Sequence, residues 1–332
     1  MATTYQHIAD NKRRTWMLVL LFPAAFAVFT GLVLGGIWFF FVPPTLTGTL
    51  NGQVLSATQA AGIEAFFVSA GVVAICWILA SIWMAVSYFS GDHILLNSAQ
   101  AIPISRQDQP EIYRLVENLC ISQGLPLPRI YIMDDESLNA FATGRDPQHA
   151  SLALTKGIVQ KLDRAELEGV ISHELAHIEN RDIRLMLITV AGISFFTFAG
   201  EICFRIGLSS RSGGNNKNNG AMLFIILGII CWVYGLLFAP LIRLAMSRQR
   251  EYLADATGAL MTRNPRALAN ALRKISQDSR VEALDKRASM AAMCIENPLE
   301  KQNLFSSWSG LTATHPPIEK RIAALEEMDR GF

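Results

Sequence analysis

The sequence predicts a mostly helical α+β protein in which four transmembrane helices accompany a globular domain. Hydrophobic residues make up 51% of the 332 residues and charged residues only 17%, whereas an ordinary soluble domain carries roughly 25% charged residues. Charge is especially scarce in residues 1–91, which contain only Asp10, Lys12, Arg13, Arg14 and Glu64. This composition excludes a wholly soluble protein and a disordered chain. The net charge of +1 gives no indication of a nucleic-acid partner.

Two long apolar runs predict a first transmembrane hairpin. Residues 16–42 and 65–89 carry no charged side chain, and each exceeds the roughly 20 residues that a helix needs to cross a bilayer. The first run is longer than the apolar core of a signal peptide, so we expect an uncleaved anchor. Basic residues precede it, and the loop 43–63 has no Lys or Arg. The positive-inside rule therefore places the N terminus, and everything from Asp92 onward, in the cytoplasm.

Two further apolar runs predict a second transmembrane hairpin. One covers about 183–204 and is uncharged only from Leu185 to Gly200, whereas the other, 221–242, is uncharged throughout. A Gly/Asn/Ser-rich stretch between them is typical of a flexible polar loop. The alternative for both runs is a helical hairpin buried in a soluble core.

This reading divides the chain into four parts. The N-terminal arm and first hairpin cover 1–91, and the second hairpin covers 183–243. The globular domain is then interrupted, because its first part is 92–182 and its second part is 244–332. We expect any site built from both parts to lie close to the cytoplasmic face of the membrane.

Periodicity predicts the elements of the globular domain. Asp163 and Glu166 have the spacing of a helix N-cap and a capping box. Alternating apolar residues at 150–155 predict an edge or half-buried strand. Helices are predicted at 110–123, 164–180, 265–276 and 317–328, and a further strand at 129–133.

One motif on the helix 164–180 carries recognisable chemistry. His173-Glu174-Leu175-Ala176-His177 has the form H-E-x-x-H. A spacing of four residues puts both imidazoles on one helix face, where two such groups can bind one Zn²⁺. Glu174 lies beside the metal without binding it and can act as general base toward a water molecule. The motif predicts one catalytic Zn²⁺ per chain.

Two carboxylates compete for the third ligand position. Glu251 has Asp255 four residues further on, so Asp255 could accept an imidazole N–H behind the metal. Glu201 lies in an apolar run, four residues before Arg205, and its alternative role is an interfacial ion pair. We favour Glu251. His173 and Glu251 must then meet on one side of the membrane, which requires an even number of crossings between them.

These residues together resemble a known family. The sequence is similar to the HtpX-type membrane zinc peptidases, which are related to CaaX prenyl proteases. The similarity lies in the H-E-x-x-H motif followed by Asn180-Arg181-Asp182, and in Glu251 and Asp255, which form an E-x-x-x-D pattern. Leu138–Gly144 is similar to the family's N-A-F-A-x-G segment. Thr314-His315-Pro316-Pro317 with Arg321 is similar to its H-P-x-x-x-x-R element.

The resemblance implies a minigluzincin-like protease domain with zinc on His173, His177 and Glu251. It implies that Asn139, Ala140, Phe141 and Gly144 line a cleft in which an extended peptide adds to a strand edge. His315 would stabilise the oxyanion or would simply occupy the first turn of a helix. Arg321 would bind near the substrate and orient this segment, or would be a solvated helix charge.

The function that follows is a zinc-dependent endopeptidase of the lipid bilayer, acting on membrane or misfolded proteins. The resemblance implies a multi-pass protein of the bacterial inner membrane, a cytoplasmic active site and a role in quality control or stress response. One alternative is a CaaX-type protease with a dedicated substrate, which would need a larger intramembrane chamber. Another is an inactive scaffold with structural zinc, although structural zinc sites usually have four protein ligands.

Overall fold

The computed structural model describes residues 4–41, 49–50, 53–54, 56–212, 219–245, 248–278, 294–295 and 316–331. The chain divides into two compact units. The globular unit contains Met1–Thr15, Ser87–Ser194 and Leu236–Phe332, and the apolar unit contains Trp16–Val86 and Phe195–Gly235. Each unit is therefore assembled from segments that are far apart in the sequence, and both predicted hairpins contribute to the apolar unit.

The described part of the chain is mostly helical. A short 3₁₀ helix, Pro147–His149, precedes the last strand. In chain order the helices and strands are α1 Thr4–Phe41, β1 Thr49–Leu50, β2 Gln53–Val54, α2 Ala57–Ser98, β3 Ala101–Pro103, α3 Pro110–Gln123, β4 Arg129–Met133, β5 Ala140–Gly144, β6 Ala150–Thr155, α4 Lys156–Lys161, α5 Arg164–Glu179, α6 Asp182–Ser212, α7 Asn219–Ala245, α8 Arg248–Thr262, α9 Pro265–Ile275 and α10 Ile318–Asp329.

Three helices of the described residues are long and apolar enough to cross a membrane. They run over Ile8–Phe40, Ala57–Ser98 and Asp182–Ser209. The second and third contain the predicted spans 65–89 and 183–204, and the first overlaps the predicted span 16–42 as far as Phe40. The predicted fourth span falls in α7, where the apolar stretch among the described residues is Phe224–Gly235. The predicted loop 43–63 was too long, because α2 begins at Ala57 and an antiparallel pair of short strands, β1 and β2, precedes it.

Aromatic side chains pack the interior of the apolar unit. Phe26 lies 5.1 Å from Phe196 and 5.5 Å from Tyr234, measured between ring centroids, and Phe196 lies 4.7 Å from Tyr234. Edge-to-face and tilted ring pairs at these separations are favourable beyond the area that they bury. They tie together α1, α6 and α7.

A four-stranded sheet of order β3-β4-β6-β5 forms the base of the globular unit. β4 and β6 are parallel, whereas β3 and β5 are each antiparallel to their neighbour. The prediction of an edge or half-buried strand at 150–155 is wrong, since β6 lies between two strands and all six residues are buried. The pattern indicates a half-buried strand because only Leu152 and Leu154 are large and apolar. They face one apolar cluster, while the small residue Ala153 faces another, so both faces of the strand are buried.

Helix α5 begins as its sequence predicts. The Asp163 side chain accepts a hydrogen bond from the Glu166 backbone N–H, and the Glu166 side chain accepts one from the Asp163 backbone N–H. Leu167, Val170 and Ile171 of this helix are buried in the larger core cluster, together with α9 and the sheet. The capping box and this packing fix the position of the helix that carries the H-E-x-x-H motif.

Two glycines allow unusually close packing against α5. A Cβ atom on Gly258 of α8 would lie 2.9 Å from the backbone nitrogen of His173, and one on Gly169 of α5 would lie 3.0 Å from the Cα atom of Leu268 on α9. Both encounters are with backbone atoms, which cannot rotate away. The absence of these side chains lets α8 and α9 approach α5 directly, and α8 thereby brings Glu251 to the motif.

Candidate metal centre

His173, His177 and Glu251 converge in the globular unit as one buried group. Their ligand atoms all lie within 4.8 Å of one another. Nε2 of His173 is 4.0 Å from one carboxylate oxygen of Glu251, and Nε2 of His177 is 3.6 Å from the other. The imidazole rings are nearly perpendicular, with centroids 4.8 Å apart. Two imidazoles and a carboxylate form a donor set that suits a divalent metal.

Asp255 lies behind His173, and Arg321 contacts both residues, with a guanidinium nitrogen 3.4 Å from Nε2 of His173. Nδ1 of His173 lies 2.9 Å from a carboxylate oxygen of Asp255, although the N–H direction is poorly aligned. Arg321 donates to both oxygens of Asp255, at 2.8 and 2.7 Å. Burial alone would raise the pKa of Asp255, but the charge and hydrogen bonds of Arg321, assisted by His173, outweigh it and lower the pKa to about 2. Asp255 is therefore ionised and fixed as an acceptor.

Asp182 has the corresponding position behind His177. Nδ1 of His177 is 3.0 Å from a carboxylate oxygen of Asp182, the first residue of α6. An ionised carboxylate can only accept, so Nδ1 carries the proton and Nε2 faces Glu251. Burial by itself lowers the pKa of His177, but the hydrogen bond to Asp182 and the charges of Glu251, Asp182 and Glu174 raise it to about 9.

One residue in the left-handed backbone conformation makes the contact between His177 and Asp182 possible. Arg181 has φ of +59° and separates the end of α5 from the start of α6. Its backbone N–H bonds to the Ile178 carbonyl at 3.2 Å. The tight turn brings Asp182 back to His177, only five residues earlier in the chain.

Asn11 and Arg250 complete the surroundings of Asp182. The side-chain amide of Asn11 donates to the second oxygen of Asp182 at 2.7 Å and to the backbone carbonyl of Asn180 at 3.1 Å. Arg250 donates to the amide oxygen of Asn11 at 3.1 Å and lies 3.6 Å from Asp182. All four side chains are buried. The start of α1 is thus part of the support of the candidate metal centre.

Glu174 lies beside the three potential ligands and is 2% exposed. Burial raises the pKa of Glu174, and the negative charge of Glu251 adds to this, while His173, His177 and the backbone N–H of Ala142 on β5 act in the opposite direction. A carboxylate with a raised pKa is a better proton acceptor near neutral pH than an exposed one. Glu174 therefore has the position and the environment of a general base.

The predicted cleft segment forms β5, which in the described part of the chain pairs with a strand on one side only, β6. The carbonyl of Ala140 on its other edge accepts from the backbone N–H of Ile295 at 2.9 Å. Phe141 belongs to the smaller apolar cluster, so its side chain contributes to the core and not to the cleft surface. Gly144 has φ of +141°, and a Cβ atom there would meet the His149 carbonyl oxygen at 2.3 Å.

Asn139 is buried just before β5. Its backbone N–H bonds to the hydroxyl of Thr155 at 3.0 Å, and its side-chain oxygen accepts from the backbone N–H of Ala140 at 3.0 Å. These bonds fix the entrance to the strand. They give Asn139 a local structural contact in addition to any contact with a peptide.

The remaining sequence predictions have different outcomes. Arg321 is not a solvated helix charge, because it is 0% exposed and donates to both oxygens of Asp255. Its predicted role in substrate binding stays a prediction. Glu201 is exposed and forms an ion pair with Arg205, as its alternative reading predicted. His315 lies outside the described residues.

Sequence reasoning missed the contribution of Asp182, Asn11 and Arg250. Asp182 had an available signal, since it is an acidic residue directly after the helix of the motif. Asn11 had none, because 171 residues separate it from the side chain that it contacts.

Comparisons with known proteins extend over almost the whole chain. Residues 106–329 match peptidase family M48. A "Protease HtpX homolog" from Bacteroides fragilis (strain YCH46) is 42% identical over 320 residues, which are 96% of each chain. One from Ligilactobacillus salivarius (strain UCC118) is 38% identical over 98% of this chain and 99% of its own. The "Crystal Structure of S. mikatae Ste24p" aligns with a TM-score of 0.43 and 18% identity, over 75% of this chain and 57% of that chain.

Proposed function

Because this chain belongs to peptidase family M48 and is an integral membrane metallopeptidase, we propose that it is a zinc-dependent endopeptidase. Zinc would be held by His173, His177 and Glu251. The convergence of these three buried ligand groups within 4.8 Å carries the proposal. The two Nδ1 atoms face carboxylates, so the Nε2 atoms would bind the metal. A guanidinium nitrogen of Arg321 lies 3.4 Å from Nε2 of His173, and a bound metal would displace that contact.

Each protein group then has a definable task in peptide hydrolysis. Zinc bound at this site supplies a Lewis acid that polarises the scissile carbonyl and lowers the pKa of water. Glu174 takes the proton of the attacking water and later delivers it to the leaving amine. Asp255 and Asp182 keep the two imidazoles in the tautomer that can bind the metal. Arg321 keeps Asp255 ionised.

We place the substrate along the outer edge of β5. An extended peptide can add to such an edge by backbone hydrogen bonds. The Ala142 backbone N–H lies next to Glu174, so a peptide bound there would present its backbone to the general base. The bond from Ile295 to Ala140 occupies the edge at the start of the strand, which favours residues from Ala142 to Gly144 as the binding stretch.

The proposed topology has four spans and a cytoplasmic active site. Lys12, Arg13 and Arg14 precede the first apolar run, whereas 43–63 contains no Lys or Arg. The convergence of His173 with Glu251 requires an even number of crossings between them, which favours α7 as a span together with α6. A single cysteine placed between the first two spans, before α2 begins at Ala57, should react with a membrane-impermeant thiol reagent in intact cells. One placed at the exposed residue Arg164 should not.

The substitution Glu174→Gln tests the proposed mechanism. The variant should retain one zinc per chain and lose cleavage of casein or a model membrane protein, because the amide cannot accept the proton. Glu168→Gln on the same helix is the matched control, since Glu168 is half-buried and pairs with the exposed side chain of Arg164, and it should cleave like the wild type. Retained activity in Glu174→Gln would contradict the role of Glu174. Insensitivity of the wild type to a chelator would contradict the metal.

We further propose that the substrates are membrane or misfolded proteins of the bacterial inner membrane and that the enzyme serves quality control during stress. The support is the 42% identity to a protein named as an HtpX homologue and the insertion of membrane helices within the protease sequence. Membrane proteins that accumulate in cells with Glu174→Gln, but not in cells with the wild type, would identify the substrates. Identical protein patterns in the two strains under stress would contradict this role.

A further inference from the structure

We propose that Asn11, near the start of α1 and before the uncharged run 16–42, is a positioning residue of the metal centre and acts on His177 through Asp182. The inference rests on the proposed zinc site. It assigns a task to a part of the chain that lies outside residues 106–329, which match the peptidase family.

Without Asn11, one carboxylate oxygen of Asp182 would lose its nearest hydrogen-bond donor. One carboxylate oxygen of Asp182 accepts from His177, and the other faces Asn11 at 2.7 Å and Arg250 at 3.6 Å. Leaving a buried carboxylate oxygen without a hydrogen-bond donor is costly. The Asn11 amide is the nearer donor to the second oxygen, so it sets the position of Asp182.

The side-chain amide of Asn11 forms hydrogen bonds through both its nitrogen and its oxygen. Asn11 donates through Nδ2 to Asp182 and to the Asn180 carbonyl, and it accepts through Oδ1 from Arg250. A primary amide supplies donors and an acceptor at the same time. Aspartate at this position would keep the shape and the acceptor but would lose both donors and face Asp182 with a like charge.

The partners of Asn11 lie close in the sequence to two of the proposed ligands. Asn180 and Asp182 follow His177 by three and five residues, and Arg250 directly precedes Glu251 on α8. Asn11 therefore joins the two segments that supply the second imidazole and the carboxylate ligand. Thr15 anchors this turn of α1, because its hydroxyl donates to the Asn11 carbonyl at 2.8 Å.

The test measures zinc affinity of the full-length protein in detergent, by competition with a chromogenic chelator. Partners behind metal ligands typically contribute 10–100-fold to metal affinity. We expect the zinc Kd of Asn11→Ala to rise on the order of tenfold. This is the lower end of that range, because Asn11 acts on the ligand through Asp182. Lys12→Ala is the control, since Lys12 is the exposed neighbour on the same helix, and its Kd should equal that of the wild type.

A double-mutant cycle distinguishes positioning from general support of the fold. If Asn11 acts through Asp182, the variant with both Asn11→Ala and Asp182→Asn should bind zinc no more weakly than Asp182→Asn alone. If the two effects multiply, the inference is wrong. Asn11→Asp repeats the comparison with an isosteric side chain in case the alanine variant does not fold, and it should weaken zinc binding at least as much.

The outcomes separate this inference from the proposed function. The role of Asn11 alone is overturned by the following set of results. The wild type binds one zinc, His173→Ala loses it, and the zinc Kd of Asn11→Ala stays within twofold of that of Lys12→Ala. A wild type without zinc overturns the proposed function and this inference with it.

Discussion

His173 and His177 lie one turn apart on α5, and each places Nδ1 near a carboxylate, but the two carboxylates are held in different ways. Asp255 lies on α8 and is clamped by the buried guanidinium of Arg321 on α10. Asp182 lies at the start of α6 and depends on a neutral amide from α1, with Arg250 further away. Both α6 and α1 continue into the apolar unit.

The difference shows that one motif can be supported by two kinds of structure. The His173 side is held by charge pairing between elements of the globular unit. The His177 side is held by hydrogen bonds at the ends of helices that continue as membrane-spanning candidates. We expect changes on the first side to affect folding most, and changes on the second side to affect metal binding more than folding.

The largest effect is expected for Arg321→Ala. Removing this guanidinium leaves Asp255 as a buried charge without its main partner, which typically costs about 3–5 kcal/mol. Thermal unfolding of the purified protein should show a large loss of stability together with loss of zinc. Lys320→Ala, at the exposed neighbouring position, should unfold like the wild type. A small stability change in Arg321→Ala would remove the contrast between the two sides.

An intermediate effect is expected for Asp182→Asn. The variant keeps an oxygen near His177 but removes the charge that fixes the imidazole tautomer, so zinc affinity should fall by about 10–100-fold. The unfolding temperature of the metal-free protein should change much less than in Arg321→Ala. Asp278→Asn is the control, because Asp278 forms an exposed ion pair with Lys161. Equal loss of stability in Asp182→Asn and Arg321→Ala would show that both sides are held alike.

The smallest effect is expected for Asp163→Ala, which removes the N-cap of the helix that carries both histidines. Loss of such a cap costs roughly 1 kcal/mol. Since the cap supports α5 as a whole, stability should fall slightly while the zinc Kd and the activity of the folded protein stay near wild type. A tenfold change in zinc affinity would mean that the start of α5 controls the metal centre separately.

The local part of the site was predictable because helical spacing is a local property. His173, Glu174 and His177 follow from one motif, and the pairing of Glu251 with Asp255 follows from a separation of four residues. The structure brings these residues together. The helices Pro110–Gln123 and Arg164–Glu179 also follow from periodicity and capping, and they were predicted to within one residue.

The non-local part was not predictable, for two physical reasons. Arg250 and Asn11 are separated by 239 residues, and one sequence carries no signal for such a contact. The alternation at 150–155 predicted a strand but not that both of its faces are buried. Small side chains such as Ala153 can fill a tightly packed face, yet they do not give the strong hydrophobic signal of a buried position. Burial of β6 depends on neighbours that periodicity cannot supply.

The distribution of the ligands over both parts of the globular sequence has a consequence for biosynthesis. His177 is translated about 74 residues before Glu251, a delay of roughly 4–15 s at 5–20 residues per second. Both segments of the second hairpin leave the ribosome during that interval, and Arg321 follows later still. A nascent chain therefore lacks the proposed ligand set until Glu251 has been synthesised, after both apolar runs of the second predicted hairpin.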